Sequence, residues 1–201
     1  MNDVNSAKAI QPSDFLLGEE VALRLVVAAD CGSTYESWLA DPEVNKYLET
    51  RWMTQSQESI RSFVEAMLAD PSCYLFAITD RRSGLHVGNI KLGPISACHG
   101  CADISYFIGD RACWGRGLAT AAIGLVTDFG FQSLGLHRIQ AGTYQSNVGS
   151  AIALERNGFR REGCWRSQLR VGDGWEDHLW FGMLRDEWLS RRPLGHPYSI
   201  R

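Results

Sequence analysis

The sequence predicts an α+β domain: one central, mixed but mostly antiparallel sheet of about seven strands, flanked by helices. Three observations carry this. The first third of the chain holds helix-spaced apolar stripes, the middle holds a meander of short alternating runs, and the remainder runs strand, glycine turn, helix, strand, helix, hairpin. With 201 residues, 45% of them hydrophobic, the chain is long enough for one packed core and short for two. The expected division is a tail at 1–13, a single domain at 14–190 and a second tail at 191–201.

Val21, Leu23 and Leu25 alternate and begin the sheet. Asp30 to Ala40 reads as a helix that ends at Asp41-Pro42, with a short helical piece to Leu48. A third helix starts at Thr54 or Ser56, turns Ile60, Phe63, Val64 and Met67 inward, and stops at Asp70-Pro71. Tyr74–Thr79, His86–Pro94 and Ala102–Gly109 form the meander, the last with Ile104, Tyr106 and Ile108 on one face. A helix to about Leu134 follows, carrying Leu118, Ala122, Leu125 and Phe129 at helical spacing. Arg138–Thr143 is a strand, and pairs in parallel with the strand before the helix. Asn147–Asn157 is a helix, and Phe159–Leu169 and Glu176–Leu184 make a hairpin about Gly172-Asp173-Gly174, before a short helix near Asp186 to Ser190.

The net charge of −3 argues against a nucleic-acid surface, which needs a basic excess. No apolar run is long enough to span a bilayer and the first residues lack a signal-peptide core, so the expected location is cytoplasmic, with no membrane partner. Six cysteines at irregular spacing suit reduced thiols. Cys98-His99-Gly100-Cys101 has no second ligand pair at metal-site spacing and reads as a turn, so no metal is expected.

The most informative stretch is Cys113-Trp114-Gly115-Arg116-Gly117-Leu118-Ala119-Thr120. A strand enters it and a helix leaves it. Two glycines one residue apart permit a tight turn and close backbone approach, and the helix start adds its positive dipole end, a combination that suits a polyoxygen anion. The same eight residues would serve equally as a plain helix-capping turn.

Three blocks together resemble the GCN5-related N-acetyltransferase (GNAT) superfamily, in its ribosomal-protein N-terminal acetyltransferase branch. They are Ile104-Ser105-Tyr106-Phe107-Ile108-Gly109 with Trp114 to Thr120, Asn147-Val148-Gly149-Ser150 with Asn157-Gly158-Phe159, and Arg161-Glu162-Gly163 with Asp177. The resemblance covers residues 14 to 188. It implies acetyl-coenzyme A as donor and an amine as acceptor, and leaves a homodimer open. It also implies that the strand at Ile104 to Gly109 splays from the one at Arg138 to Thr143, and that the pantetheine arm fills the gap like an extra strand. Gly115, Arg116, Gly117, Leu118, Ala119 and Thr120 would then seat the pyrophosphate, and a backbone N–H at Phe107 or Ile108 would polarise the thioester carbonyl.

Asn147 reads as a helix N-cap and, by the resemblance, as a pantetheine contact. Ser150 is the candidate acid for the leaving thiolate, because the position where many members carry a tyrosine holds Leu154. Glu162 is the first candidate base, with Asp177, Asp103 and His178 as others. Trp52, Trp165, Trp175 and Tyr144 are expected around the acceptor, and Ala121 stands where close relatives often carry glutamate. The acceptor is read as a small primary amine such as an amino sugar, or else a protein N-terminal amine. A module that senses acyl-coenzyme A without chemistry is the rival.

Overall fold

The computed structural model describes residue 10, residues 14–191 and residues 199–200. The expected tail at 1–13 thus lies, apart from residue 10, outside the described residues. The described strands form one sheet in the order β7-β8-β6-β5-β4-β3-β2-β1-β9. They are β1 (Leu16–Leu17), β2 (Val21–Leu25), β3 (Tyr74–Asp80), β4 (His86–Ser96), β5 (Cys101–Ile108), β6 (Arg138–Tyr144), β7 (Arg160–Val171), β8 (Gly174–Leu184) and β9 (Ser199–Ile200). Only β5 and β6 run parallel. The two strands beyond the expected seven, β1 and β9, are two residues long and carry no periodic signal; β9 falls within 191–201 and pairs with β1.

Alternation along the strands sends two apolar sets to opposite faces. The first face packs against α4 (Leu118–Gln132), where Leu118, Ala122, Leu125 and Phe129 are buried as their spacing predicts, joined by Ile104, Ile139 and Phe181 of the sheet. Also on this face are α5 (Val148–Arg156) and α6 (Arg185–Arg191), through Leu154 and Trp188. The second face is covered by α1 (Ser33–Ala40), α2 (Pro42–Asn45) and α3 (Gln57–Ala69) over Leu75, Ala77 and Phe107. In α3 Ser56 caps the N-terminus by accepting from the Ser59 N–H, and Ile60 and Val64 are buried. Phe63, expected inward, is exposed: the layer seats a stripe only wide enough for Ile60, Val64 and the half-buried Met67.

Covering helices leave one region of the second face open. It lies over the β5–β6 seam and the β7–β8 hairpin.

Candidate active site

β5 and β6 pair over just three positions, Cys101 with Arg138, Ala102 with Ile139 and Asp103 with Gln140. Beyond that apex they part, β5 staying on β4 through Ile108 and β6 on β8 through Tyr144. The result is a fork. Gly109 N–H bonds to the Val87 carbonyl, and main-chain groups alternate sides along a strand. Hence Phe107 bonds toward β4, while Tyr106 and Ile108 turn their N–H groups into the fork; the Ile104 N–H, on the same side, is taken by the last paired position, Asp103 with Gln140. Of the two positions expected to polarise a carbonyl, Ile108 turns its N–H into the gap and Phe107 turns its own toward β4, with its ring near Tyr35 and Trp38. Arg138 N–H bonds to the Gly100 carbonyl, so by the same alternation Gly142 faces the fork from β6. Buried main-chain groups need partners, and an extended arm laid between the strands would supply them.

The glycine turn closes one end of the fork. Gly115 and Gly117 adopt φ of 72° and 79°, where side-chain-bearing residues are strained, and a Cβ on either would meet nothing within 4 Å. The space above them is therefore open to a ligand. No side chain caps α4, so the first N–H groups of its 15 residues, from Leu118, Ala119 and Thr120 onward, point out of the helix start. The Arg116 guanidinium turns the other way: it donates to both Asp80 oxygens at 3.1 and 3.2 Å. That contact holds the Asp80 carboxyl below the usual carboxylate range. Arg116 therefore anchors the turn to β3 through its side chain. Trp114 Nε1 donates to the Ile108 carbonyl at 2.8 Å, tying the turn to the fork's edge.

On the first face, Asn147 Oδ1 accepts from the Ser150 N–H at 3.2 Å and caps α5. Ser150 Oγ lies 2.7 Å from the Tyr106 hydroxyl, a bond that spans from α5 to β5 across the fork. Burial pushes the Tyr106 phenol up to about 12, so it stays protonated and can donate to Ser150. Tyr106 is a site residue that sequence reasoning placed only in the core stripe. Strand alternation gives a side chain's face, not its partner on another element.

On the second face, Glu162 forms a two-pronged ion pair with Arg138, which holds its carboxyl below the ordinary glutamate range. Arg138 Nε also donates to Gln140 Oε1, and Gln140 Nε2 to Asp103 Oδ1. Glu162 and Asp103 thus belong to one polar chain at the paired apex. They are not brought beside Ser150 and Asn147, which stand toward the open end. Asp177 is spent on β7: it accepts from the Ser167 N–H at 2.9 Å and from Cys164 Sγ at 3.1 Å. Ser167 has a φ of 50° within a register break between Trp165 and Leu169.

A cavity of about 340 Å³ opens beside this hairpin, lined by Glu49, Arg51, Trp52, Tyr144, Gln168 and Trp175 among others. Tyr144 donates to Glu49 at 2.7 Å and accepts from Arg51 at 2.6 Å. The Arg51 guanidinium stacks 4.6 Å from Trp52 and 4.9 Å from Tyr144. Three of the four aromatics expected around an acceptor are in this wall; Trp165 stands apart, against His178 and Trp180. Cys98 to Cys101 forms the β4–β5 turn, and all six cysteines are free.

A forked parallel pair, an uncapped helix start beside it and an aromatic-walled cavity along the adjoining hairpin define a class of α+β fold built on a splayed sheet. The family model for the acetyltransferase (GNAT) domain matches residues 20–160, and the chain belongs to that family. It is 42% identical over 115 residues, 57% of this chain, to YjcK of Bacillus subtilis, named a probable N-acetyltransferase. It is 29% identical over 105 residues, 52% of this chain, to the [ribosomal protein uS5]-alanine N-acetyltransferase of Escherichia coli. These matches span 63% and 51% of the two relatives' own lengths. A solved structure of Mycobacterium smegmatis RimJ in complex with CoA-disulfide superposes with a TM-score of 0.73 at 26% identity, covering 88% of this chain and 89% of that one.

Proposed function

We propose that the protein transfers the acetyl group of acetyl-coenzyme A to a primary amine, by direct attack in a ternary complex. The observation that carries this is the fork: strand pairing stops after Asp103 and Gln140, and the Tyr106, Ile108 and Gly142 main chains face the gap that leads to the open helix start at Gly117. The solved RimJ complex with CoA-disulfide supports the same donor. In this reading the pyrophosphate sits on the N–H groups from Arg116 to Thr120 and the pantetheine arm runs between β5 and β6. The Ile108 N–H stabilises the oxyanion, Asn147 steadies the arm, and Ser150 donates to the departing sulfur. No residue is asked to form a covalent intermediate.

The acceptor is proposed to be a small amine, an amino sugar being one such class. A cavity of about 340 Å³ falls at the lower end of the roughly 300–1,000 Å³ typical of small-molecule sites, and its aromatic walls suit either a sugar face or a cationic amine. The likeness to the uS5-alanine N-acetyltransferase supports a second reading, a protein N-terminal amine.

Isothermal titration with acetyl-coenzyme A tests donor binding. Micromolar-range affinity is expected for the native chain and none for Gly117→Glu, which adds strain at φ 79° and a carboxylate at the anion seat. Equal binding by both proteins would place the donor elsewhere.

A further inference from the structure

The geometry points to His178 as the general base that takes the proton from the incoming amine, with Gln168 and Gly142 as its positioning residues. This rests on the acetyl-transfer reading and assigns a base that the ion-paired Glu162 cannot readily supply.

His178 stands on β8 opposite Tyr144 of β6, on the open second face. Its ring lies on the Cα of Gly142: a Cβ built there would fall 2.1 Å from Nε2. Gly142 is the β6 residue whose main chain faces the fork just past the last paired position, so Nε2 sits over the fork's edge. The other ring nitrogen, Nδ1, is 2.8 Å from Gln168 Oε1. A carbonyl oxygen can only accept, so Nδ1 carries the proton and Nε2, without a hydrogen-bond partner among the described residues, is the unprotonated nitrogen.

The bulge in β7 is what brings Gln168 there. Three residues (166–168) stand opposite one (177) between the Trp165–His178 and Leu169–Glu176 pairs, and Asp177 pins the extra length through the Ser167 N–H. Bulges of this kind re-aim a side chain. The Gln168 side chain also lines the acceptor cavity, so the cavity reaches the imidazole's positioning residue.

Trp165 and Trp180 pack around the ring, with centroids 6.0 and 4.7 Å away. Among the described residues, the buried Nε1 of Trp180 has no hydrogen-bond partner. An orphaned donor in the ring packed on the imidazole is a group that a polar ligand atom would satisfy. Facing this side are Glu49, which favours the imidazolium, Arg51, held on Tyr144 and Arg170, Glu176, which accepts from the Ser146 N–H, and, further along the strands, the Arg138–Glu162 pair; Asp177 faces the opposite way. Burial outweighs Glu49 and lowers the His178 pKa below its ordinary value, leaving a neutral base near pH 7.

The step balances as follows. The amine enters as an ammonium and gives one proton to Nε2. Its freed lone pair attacks the thioester carbon, forming C–N and moving the carbonyl pair onto the oxygen that the Ile108 N–H stabilises; as C=O re-forms, C–S breaks and sulfur leaves with the bonding pair. Ser150 protonates that sulfur and is itself recharged, through water, by the second proton lost from nitrogen. The imidazolium returns its proton to solvent.

The test is the pH dependence of kcat at saturating acetyl-coenzyme A and amine. For the native chain an acidic limb is expected at or below about pH 6.5, the ordinary imidazole value. His178→Gln should lower kcat by about 100-fold or more, remove that limb and leave coenzyme A affinity unchanged. Gln168→Glu, which places a carboxylate on Nδ1–H, should move the limb up by about one pH unit. Gly142→Ala should lower kcat by displacing the ring. Full kcat in His178→Gln, or an unmoved limb in Gln168→Glu while the native chain turns over, overturns the assignment alone. Absence of thiol release by the native chain with every amine would overturn the acetyl-transfer reading and this assignment together.

Discussion

Ser150 and Tyr106 show how a residue's role depends on a partner far along the chain. A serine hydroxyl is a weak acid, but one that accepts from a protonated, buried phenol at 2.7 Å is better able to release its own proton toward sulfur. Ser150→Ala should therefore lower kcat by roughly 100-fold with little change in coenzyme A affinity. Tyr106→Phe should lower it by up to about tenfold, the weight of one hydrogen bond. Steady-state kinetics alongside titration checks both; full activity in Ser150→Ala would remove its acid role. The sequence places Ser150 and Asn147 correctly at a helix start, since a cap and a three-residue spacing are local. It cannot show that Glu162 meets Arg138, 24 residues earlier, or that Arg116 meets Asp80, because those pairings depend on which strands neighbour one another.

Helices and strands were legible wherever periodicity was strong. The apolar stripe of α4 predicts its inward Leu118, Ala122, Leu125 and Phe129, though not the buried Phe131, and Phe129 is fully buried against Tyr74 and Phe76. Phe129→Ala should cost about 3–5 kcal/mol. At about 2–4 °C per kcal/mol that is a fall in melting temperature on the order of 10 °C, read by calorimetry; a change under about 2 °C would mean the α4 face is not the core. The apolar stripe of α3 predicts Phe63 inward and the structure exposes it, because the pattern does not reveal how broad a stripe the opposing layer accepts. The β7 bulge was invisible for a different reason. Its residues alternate no differently from a regular strand, and nothing local marks Ser167 for a positive φ; the cause is Asp177 on the neighbouring strand.

At the scale of the molecule, the proposed function assigns the two substrates to opposite faces of the sheet. The first face, with α4 and α5, presents the anion seat and the Ser150 hydroxyl. The second face, left open by α1 to α3, presents the aromatic cavity and the His178 nitrogen. Donor and acceptor would thus approach from opposite faces and meet only in the fork, where β5 and β6 have stopped pairing. The fork itself is implied by the family resemblance, and its location follows from pairing that ends at Asp103 and Gln140. The most direct test is release of free thiol from acetyl-coenzyme A by the native chain against a panel of amino sugars, aminoglycosides, polyamines and N-terminal peptides. The account predicts thiol release in equal amount with an N-acetylated product for at least one class. Tight acetyl-coenzyme A binding with no thiol released for any amine would contradict it and leave a module that senses the acyl donor.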